Sequence, residues 1–453
     1  MIERWSRDQV LALAPDASSR KAAQGLATPG RWASRGTTGT MLYGECKGSG
    51  AEPYLACVDL TEPAYRCSCP SRKFPCKHTL GLLLLWSADD VPAQEAAPRW
   101  VSEWAKARAE RPAGEETSGR GRGPGGESVR HGRVASGLAE LERWLADQVR
   151  QGLAGAAEHD WEGLAKRLVD AQAPGVAGMV SKLARVRSEE GWPGRLLEEY
   201  ALLNLLAVAY RRRAELPPAL GRTVLIRTGF PVTREEVLAR PAVRDHWDVL
   251  GRRDEVQDRL TARKVWLRGR RTGRPALVLS FAPQGQSLDA SLVTGTTIDA
   301  DLAYYPGAAP LRALVAARHG SVPAPGPSDR SAAVPGPPPL PESSDPPGSS
   351  DTSGLSGCCG LSGPPGVSQE EALDEVARVL AGDPWTESWP LVLCGVVPGR
   401  TRLGGLPLHV RARDPWRLIA VSGGRPVTVA VEWTPQGLRP LTTWDGEGRA
   451  VIL

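Results

Sequence analysis

The sequence predicts a multidomain α+β protein, with a small β-hairpin and helix domain first, a helical middle region, and an α+β and β-rich part at the carboxyl end. Its 453 residues exceed what one hydrophobic core usually organises. Two stretches poor in apolar residues, 111–133 and 321–367, divide the chain. The spacing of apolar residues is helical between these stretches and becomes mixed after residue 218. These three observations predict the fold class.

Both apolar-poor stretches are predicted to be flexible linkers. Residues 111–133 are dense in glycine, and 321–367 hold 12 of the 40 prolines together with runs of serine and glycine. Such compositions bury too little apolar surface to offset the entropy lost on ordering. The predicted domains are therefore an amino-terminal domain at 1–110, a helical region at 134–218, an α+β region at 219–320, and a helix plus β-rich region at 368–453 that can pack against 219–320.

Amphipathic patterns predict the helices of the middle region. Apolar residues recur every three or four positions in 134–153 and in 160–172. Residues 191–213 form a third pattern, with Pro193 near the first turn and arginines at the carboxyl end, where they complement the helix dipole. This region is predicted to be helical.

After residue 218 the local signals alternate between helix and strand. Runs of β-branched residues and paired turn residues favour strands and hairpins, and capping residues favour helix starts. The predicted elements are a strand at 223–228, a helix opened by a capping box at Thr233, a hairpin at 265–281 turning at Thr272–Gly273, a helix at 369–381, and a hairpin at 416–433 turning at its Gly-Gly pair.

Charge and hydropathy argue against several classes of protein. The formal net charge is only +5, so the whole-chain charge does not indicate nucleic-acid binding. The longest apolar runs, 80–86 and 201–210, fall short of the roughly 20 residues that cross a bilayer, and the amino terminus lacks a secretory apolar stretch. We expect no membrane association. The cysteine spacing is not that of a disulfide framework, which predicts a location in the reducing cytoplasm.

Residues 67–78, CSCPSRKFPCKH, concentrate three cysteines and a histidine in twelve positions. Thiolates and imidazoles are the ligands of tetrahedral Zn²⁺, and Cys67, Cys69, Cys76 and His78 supply four of them as two short pairs joined by a loop. Four protein ligands leave no open position for water or substrate. The spacing therefore predicts one structural zinc rather than a catalytic one.

The segments before and after this cluster predict which secondary-structure elements the metal holds together. Residues 52–60 and 64–69 have strand character, and 79–86 are apolar on every side, as in a short buried helix. Pro70 and Pro75 restrict the loop between the ligand pairs, which lowers the entropy lost when the ligands converge. We predict a small domain in which zinc holds a β-hairpin to the start of a helix.

The pattern CxCx6CxH, preceded by a hairpin and followed by an apolar helix, resembles the SWIM zinc finger. Further segments are similar to stretches of one stand-alone bacterial SWIM family, which extends the resemblance over most of the chain outside the linkers. They are GECKGSG (44–50), DAQAPG (170–175), GWPGRLLEEYALL (191–203), LDASLVTGTTIDADLAYYPGAAPLRALV (288–315) and SGGRPVTVAVEW (422–433).

The resemblance implies ligand roles and a class of partner. The zinc-ligand roles carry over to Cys67, Cys69, Cys76 and His78, which all match the motif. Genes of the resembled family are associated with MoxR-type AAA ATPases and von Willebrand A proteins. The implied partner is therefore an AAA ATPase or von Willebrand A protein in a chaperone-like assembly.

Cations and one aromatic residue surround the ligands and allow two interpretations. Arg66, Arg72, Lys73 and Lys77 lie beside the cluster without a nearby acid, and Phe74 lies among them. They can contact nucleic acid or a protein partner, with phosphates on the cations and a base stacked on the ring. Alternatively, the cations stabilise the negative charge that three thiolates leave on Zn²⁺.

Two function classes follow: a zinc-binding adaptor for a protein partner, and a nucleic-acid-binding protein that uses the finger. Enzyme activity is not predicted, because the sequence holds no P-loop, GxSxG, HExxH or GxGxxG motif in a suitable context. A carboxylate site built from Asp245, Asp248 or Asp254 is the one enzymatic alternative that spacing leaves open. We favour the adaptor, since the chain charge is nearly balanced and more than 200 residues follow the finger.

Overall fold

The computed structural model has the predicted mixed α+β architecture, with an amino-terminal sheet, a helical middle and β-rich sheets at the carboxyl end. The fold class is therefore confirmed. The structure describes residues 4–47, 52–61, 64–69, 71, 75–109, 124–155, 158–189, 191–257, 260–283, 288–322 and 363–453.

The amino-terminal part is a four-stranded antiparallel sheet in the order β1-β2-β3-β4, with helices packed against it. Its central helix is buried from His78 to Trp86 because it is apolar on all sides. Leu42 and Val58 of the sheet and Leu83 of this helix lie in one core. The elements are α1 (Arg7–Ala12), α2 (Ala17–Gln24), β1 (Trp32–Thr37), β2 (Met41–Cys46), β3 (Tyr54–Asp59), β4 (Ala64–Cys67), α3 (Lys77–Ser87) and α4 (Arg99–Ala109).

Five helices form the middle part around one apolar core. Trp161 and Tyr200 are among its largest buried side chains, and the indole Nε1 of Trp161 donates to the Tyr200 hydroxyl at 3.0 Å. The helices predicted at 134–153, 160–172 and 191–213 are present. The elements are α5 (Pro124–Gln151), α6 (Glu158–Asp170), α7 (Pro174–Arg187), α8 (Trp192–Arg211) and α9 (Pro218–Thr228).

Two local predictions in this part are wrong. Residues 124–133, predicted as linker, begin α5, because Arg130 donates to the Gly229 carbonyl at 2.8 Å and His131 hydrogen-bonds the Tyr210 hydroxyl at 2.7 Å. Residues 223–228, predicted as a strand, end α9, where Val224 is buried in the helical core. In both cases tertiary contacts outweigh the local preference. The rest of the predicted linker, 111–123, lies outside the described residues.

The next five strands close into a barrel in the order β5-β6-β7-β9-β8, with β7 and β9 parallel and the other pairs antiparallel. Five-stranded Greek-key barrels include the OB-folds. Trp247 fills the interior together with Leu267 and Leu302. The elements are a capped helix α10 (Arg234–Leu238), β5 (Val243–Gln257), β6 (Leu260–Gly269), β7 (Pro275–Pro283), β8 (Thr297–Tyr304) and β9 (Arg312–Val322).

The carboxyl-terminal part is an antiparallel sheet in the order β10-β13-β14-β15 that covers one outer face of the barrel. Trp266 of the barrel packs against Val392 and Leu441 of the sheet. A Cβ on Gly251 would lie 2.6 Å from Leu441, which shows how closely the two sheets approach. The elements are α11 (Gln369–Gly382), β10 (Trp389–Val396), β11 (Arg402–Leu403), β12 (Leu406–Pro407), α12 (Trp416–Ser422), β13 (Val427–Thr434), β14 (Gly437–Trp444) and β15 (Ala450–Ile452).

Most local predictions after residue 218 are confirmed, and one is wrong. The capping box at Thr233, the hairpin at 265–281 and the helix at 369–381 are all present. The predicted hairpin at 416–433 is instead helix α12 followed by strand β13. Gly423, with φ of +56°, ends the helix in the left-handed region, so the Gly-Gly pair caps a helix rather than turning a hairpin.

The predicted spacer at 321–367 overlaps ordered structure at both ends. Strand β9 runs to Val322, and Val367 pairs with Leu393, where its amide donates to the Val392 carbonyl at 2.9 Å. Residues 323–362 lie outside the described residues. The contacts of the two sheets also bring 368–453 against 219–320, the packing that the sequence left open.

One cysteine departs from the expectation that the cysteines do not form a disulfide framework. Cys394 in β10 is buried and disulfide-bonded, whereas the five other cysteines among the described residues are free. Among the described residues, no helix has the length and apolar composition that a membrane span requires.

A glycine contact in the helical bundle generates the first prediction. A Cβ on Gly175 of α7 would overlap the backbone oxygen of Arg227, so Gly175→Ala must push α7 and α9 apart. We expect a loss of about 1–3 kcal/mol in unfolding free energy. Gly178→Ala in the same helix meets nothing within 4 Å and should instead stabilise by about 0.5–1 kcal/mol. Denaturation followed by circular dichroism compares them; equal effects would contradict the packing.

Candidate metal centre

Two secondary-structure ends bring the four predicted ligands together. Strand β4 ends at Cys67, and Cys69 follows two residues later. Cys76 is the N-cap of helix α3, which places His78 in the first helical turn. β4 is held in place by antiparallel pairing with β3, in which Cys67 lies opposite Ala56. The ligand pairs therefore sit at the edge of the sheet and at the start of the buried helix.

The distances within this cluster fit a tetrahedral zinc. One ligand atom from each of Cys67, Cys69, Cys76 and His78 lies within 4.8 Å of the others. His78 Nδ1 is 3.7 Å from Cys67 Sγ and 4.0 Å from Cys76 Sγ, so Nδ1 is the ligand atom of the histidine. Zn–S bonds of about 2.3 Å and Zn–N bonds of about 2.0 Å separate tetrahedral ligand atoms by roughly 3.5–3.8 Å. The side chains are thus arranged for one zinc with a complete protein coordination shell.

Burial and hydrogen bonding prepare the thiols for a metal. Cys69, Cys76 and His78 are at most 9% exposed. A hydrogen bond from the Cys67 thiol lowers the pKa of Cys76, with further donors at His78 and Thr79, whereas sharing that bond raises the pKa of Cys67. Burial raises the pKa of Cys69. Without metal, Cys67 and Cys69 therefore keep their protons, which zinc binding has to displace, whereas Cys76 ionises readily.

Neighbouring side chains hold two of the ligands in position. The Thr79 hydroxyl donates to the Cys76 backbone oxygen at 3.0 Å and lies 3.7 Å from its Sγ. The Tyr54 ring lies over the imidazole of His78, with centroids 4.7 Å apart. Such outer contacts orient metal ligands. A cavity of about 390 Å³ opens beside them, lined by Ser18, Ser19, Ala22, Tyr54, Cys69, Ser71, Lys77 and His78.

The predicted contact residues are only partly located. Arg66 on β4 and Lys77 on α3 are both exposed beside the cluster. Arg72, Lys73 and Phe74 lie outside the described residues. The structure therefore brings two of the five candidate contact residues to the metal centre, and both carry positive charge.

The remaining candidates have structural environments. Cys46 and Cys57 are buried outside the cluster, and burial raises the pKa of Cys57 to about 12. Asp245 accepts from the Thr272 hydroxyl and from three backbone amides, Asp248 pairs with Arg270 at 2.9 Å, and Asp254 pairs with Arg263 at 2.7 Å. These three carboxylates are occupied by strong donors and do not face the cavity beside the ligands.

Sequence reasoning missed the attachment of the metal centre to the barrel. Tyr65, two residues before ligand Cys67, donates its hydroxyl to the Ala290 carbonyl at 3.2 Å. Val293 from the same barrel loop lies in the core of the amino-terminal part, and Gln9 donates to the Thr294 carbonyl at 3.1 Å. The similar segment at 288–315 was the only sequence signal for this loop. The metal centre is therefore anchored to the barrel through strand β4.

The ligand geometry predicts about one zinc per chain, retained through purification. The double variant Cys69→Ser/Cys76→Ser should retain none, because two ligands cannot hold the ion against competition. The matched control Cys46→Ala/Cys57→Ala removes two buried cysteines outside the cluster and should keep its zinc. Elemental analysis measures both; zinc in the first variant, or its absence from the wild type, would refute the site.

The anchor predicts how far the effect of metal removal spreads. Zinc contributes on the order of 10–16 kcal/mol to the folding free energy of isolated fingers. Chelation should therefore remove the hydrogen-exchange protection of residues 54–87. Through Tyr65, the barrel loop at 288–294 should lose protection as well, whereas α6 and α7 should not. Hydrogen exchange with and without chelator tests this. Equal loss of protection in α6 and α7 would contradict the expected independence of the helical bundle.

Comparison with known protein families identifies two domains of the chain, one of which contains the metal centre. Residues 57–86 match the SWIM zinc finger, a span that contains all four ligands and most of α3. Residues 129–228 match the SWIM-associated four-helix bundle domain, which covers most of α5 and continues to the end of α9. No curated protein and no solved structure matches the chain. The chain thus carries a SWIM zinc finger with a structural zinc site, followed by a SWIM-associated four-helix bundle domain.

Proposed function

We propose that the protein is a non-enzymatic adaptor whose zinc finger and helical bundle are presented to a protein partner. The observation that carries this proposal is the closed coordination shell: four protein ligands surround the metal position, so the metal has a structural role. The three carboxylates that left an enzymatic alternative open each pair with donors of the fold. An interaction role remains the best account of the chain.

An exposed apolar stripe on the bundle supports a protein partner. Leu197 and Leu205 of α8 are 48% and 43% exposed, and Ala201 between them is exposed as well. Residues four apart share one helix face, so the three form a stripe along α8. Contiguous apolar surface of this kind is typical of protein-interaction sites. We assign the partner-binding face of the adaptor to this stripe.

The partner class rests on the family resemblance. The similar segments belong to stand-alone bacterial SWIM proteins, which suggests a MoxR-type AAA ATPase or a von Willebrand A protein as the partner. The bacterial origin and the cytoplasmic location stay predictions. The alternative function is nucleic-acid binding by the finger, which the exposed cations Arg66 and Lys77 favour.

Capture on the immobilised full-length protein tests the adaptor. From an extract of the native cell, we expect to recover an AAA ATPase or a von Willebrand A protein. Leu197→Asp/Leu205→Asp should abolish recovery, because two charges on the stripe prevent apolar docking. Val169→Asp, at a 55% exposed position of α6, is the matched control and should retain it. Circular dichroism verifies that both variants keep their helices.

Two outcomes would contradict the adaptor. One is recovery of neither protein class, or recovery that does not depend on the α8 stripe. The other is salt-dependent nucleic-acid binding that disappears in Arg66→Ala/Lys77→Ala, because it would assign the function to the finger cations. The slope of log K on log salt, near −0.7 to −0.9 per phosphate contact, identifies that binding mode.

A further inference from the structure

A second charged surface lies far along the chain from the finger, between strands β10 and β13. Residues 397–417 contain five arginines and one acid, Asp414. All five arginine side chains are exposed. We call this region the C-terminal arginine surface; its arginines are Arg400, Arg402, Arg411, Arg413 and Arg417.

Backbone hydrogen bonds join the two halves of this surface. The Leu408 amide donates to the Thr401 carbonyl at 2.9 Å, and the Asp414 amide donates to the Arg400 carbonyl at 2.7 Å. Arg402 in β11 lies opposite Pro407 in β12. The segments before and after this small hairpin therefore lie side by side, and the arginines of both belong to one surface.

Three of these cations are not neutralised by the fold. Arg400 pairs with Asp414 at 2.6 Å, and Arg417 pairs with Asp8. Arg402, Arg411 and Arg413 make no ion pair with any residue in the described part of the chain. Exposed guanidinium groups without acids are available to bind anions, and phosphate oxygens match their planar donors.

An exposed tryptophan stands among these cations. Trp416 is the first residue of α12, and 59% of it is exposed. Among the described residues, no other tryptophan is as exposed. The guanidinium of Arg400 lies 5.4 Å from its ring centroid. Tryptophan is enriched at interfaces, because it combines a large apolar ring with a polar N–H group. Ring and guanidinium together form a stacking platform for a nucleobase.

We propose that the C-terminal arginine surface binds single-stranded nucleic acid, with a base stacked on Trp416 and phosphates on Arg402, Arg411 and Arg413. The combination of a free ring with unpaired guanidinium groups favours nucleic acid over an acidic polypeptide, which needs the cations but not the ring. The outer barrel face at Trp266 is covered by the C-terminal sheet and is not available to a ligand. This site is separate from the finger and does not depend on the adaptor function.

Fluorescence anisotropy with a labelled oligothymidylate of about 12 nucleotides tests the proposal on the full-length zinc-loaded protein. Three phosphate contacts predict a slope of log K on log salt of about −2. Arg411→Ala/Arg413→Ala should reduce the slope to about −0.7. The matched control Arg143→Ala/Arg185→Ala removes two exposed arginines from the helical bundle and should leave affinity and slope unchanged.

Variants of Trp416 test the stacked base separately from the charge. Trp416→Ala should weaken binding by about 5- to 100-fold, whereas Trp416→Phe should keep most of the affinity because it retains a ring. The side chain is largely exposed, so neither change removes core contacts. An unchanged affinity in Trp416→Ala would overturn the stacking and with it the assigned ligand class.

Three further results would overturn the proposal. The first is no binding at low salt. The second is competition by polyglutamate as strong as by unlabelled oligothymidylate, which would assign the surface to an acidic protein. The third is loss of binding in Arg66→Ala/Lys77→Ala with no loss in Arg411→Ala/Arg413→Ala, which would place the nucleic acid on the finger. The first two results leave the adaptor proposal unaffected, whereas the third would contradict the adaptor as well, so a failure confined to this surface is distinguishable from failure of the adaptor.

Discussion

Convergence of two short ligand pairs on one metal position is the constraint on which the amino-terminal part depends. Strand β4 has four residues and lies at a sheet edge, so its pairing with β3 alone is weak support. Helix α3 is apolar on all sides and must be buried to be stable. Zinc joins the end of the strand to the start of the helix. It thereby fixes the angle at which the helix crosses the sheet, and the core of Leu42, Val58 and Leu83 follows.

The same strand carries the constraint beyond the finger. Tyr65 bonds the barrel loop at Ala290, and Val293 of that loop completes the amino-terminal core. In the segment between α11 and β10, Trp385 is buried among the bundle helices and donates to the Leu202 carbonyl at 3.0 Å. Finger, barrel, C-terminal sheet and bundle are therefore packed in sequence against one another. This packing holds the finger and the α8 stripe in a defined relative arrangement, as the proposed adaptor function requires.

A nearly balanced total charge conceals local imbalance. The formal net charge of +5 is spread over 453 residues, yet the C-terminal arginine surface holds five arginines against one acid. Buried arginines of the same chain behave differently: Arg263 is paired with Asp254, and burial lowers the pKa of Arg252 to about 10. Only partners and exposure distinguish a cation that stabilises the fold from one that can bind a ligand. The abundance of arginine in the sequence reveals neither the ion-pair partners nor the exposure of each side chain.

The sequence by itself determined the elements whose causes are local. Two i, i+2 ligand pairs specify zinc because the chemistry of the residues and their spacing suffice. The three predicted bundle helices follow from apolar periodicity, and the capping box at Thr233 from side-chain bonds within four residues.

Tertiary structure decided the elements that depend on distant partners. Residues 223–228 are helical because Val224 enters the bundle core, and α5 begins at Pro124 because Arg130 and His131 find partners near residues 229 and 210. The closure of the barrel depends on the pairing of β5 with β8, about fifty residues apart, and no local pattern encodes it. Whether Asp248 is a catalytic candidate or half of an ion pair is likewise decided by Arg270, which the fold alone brings beside it.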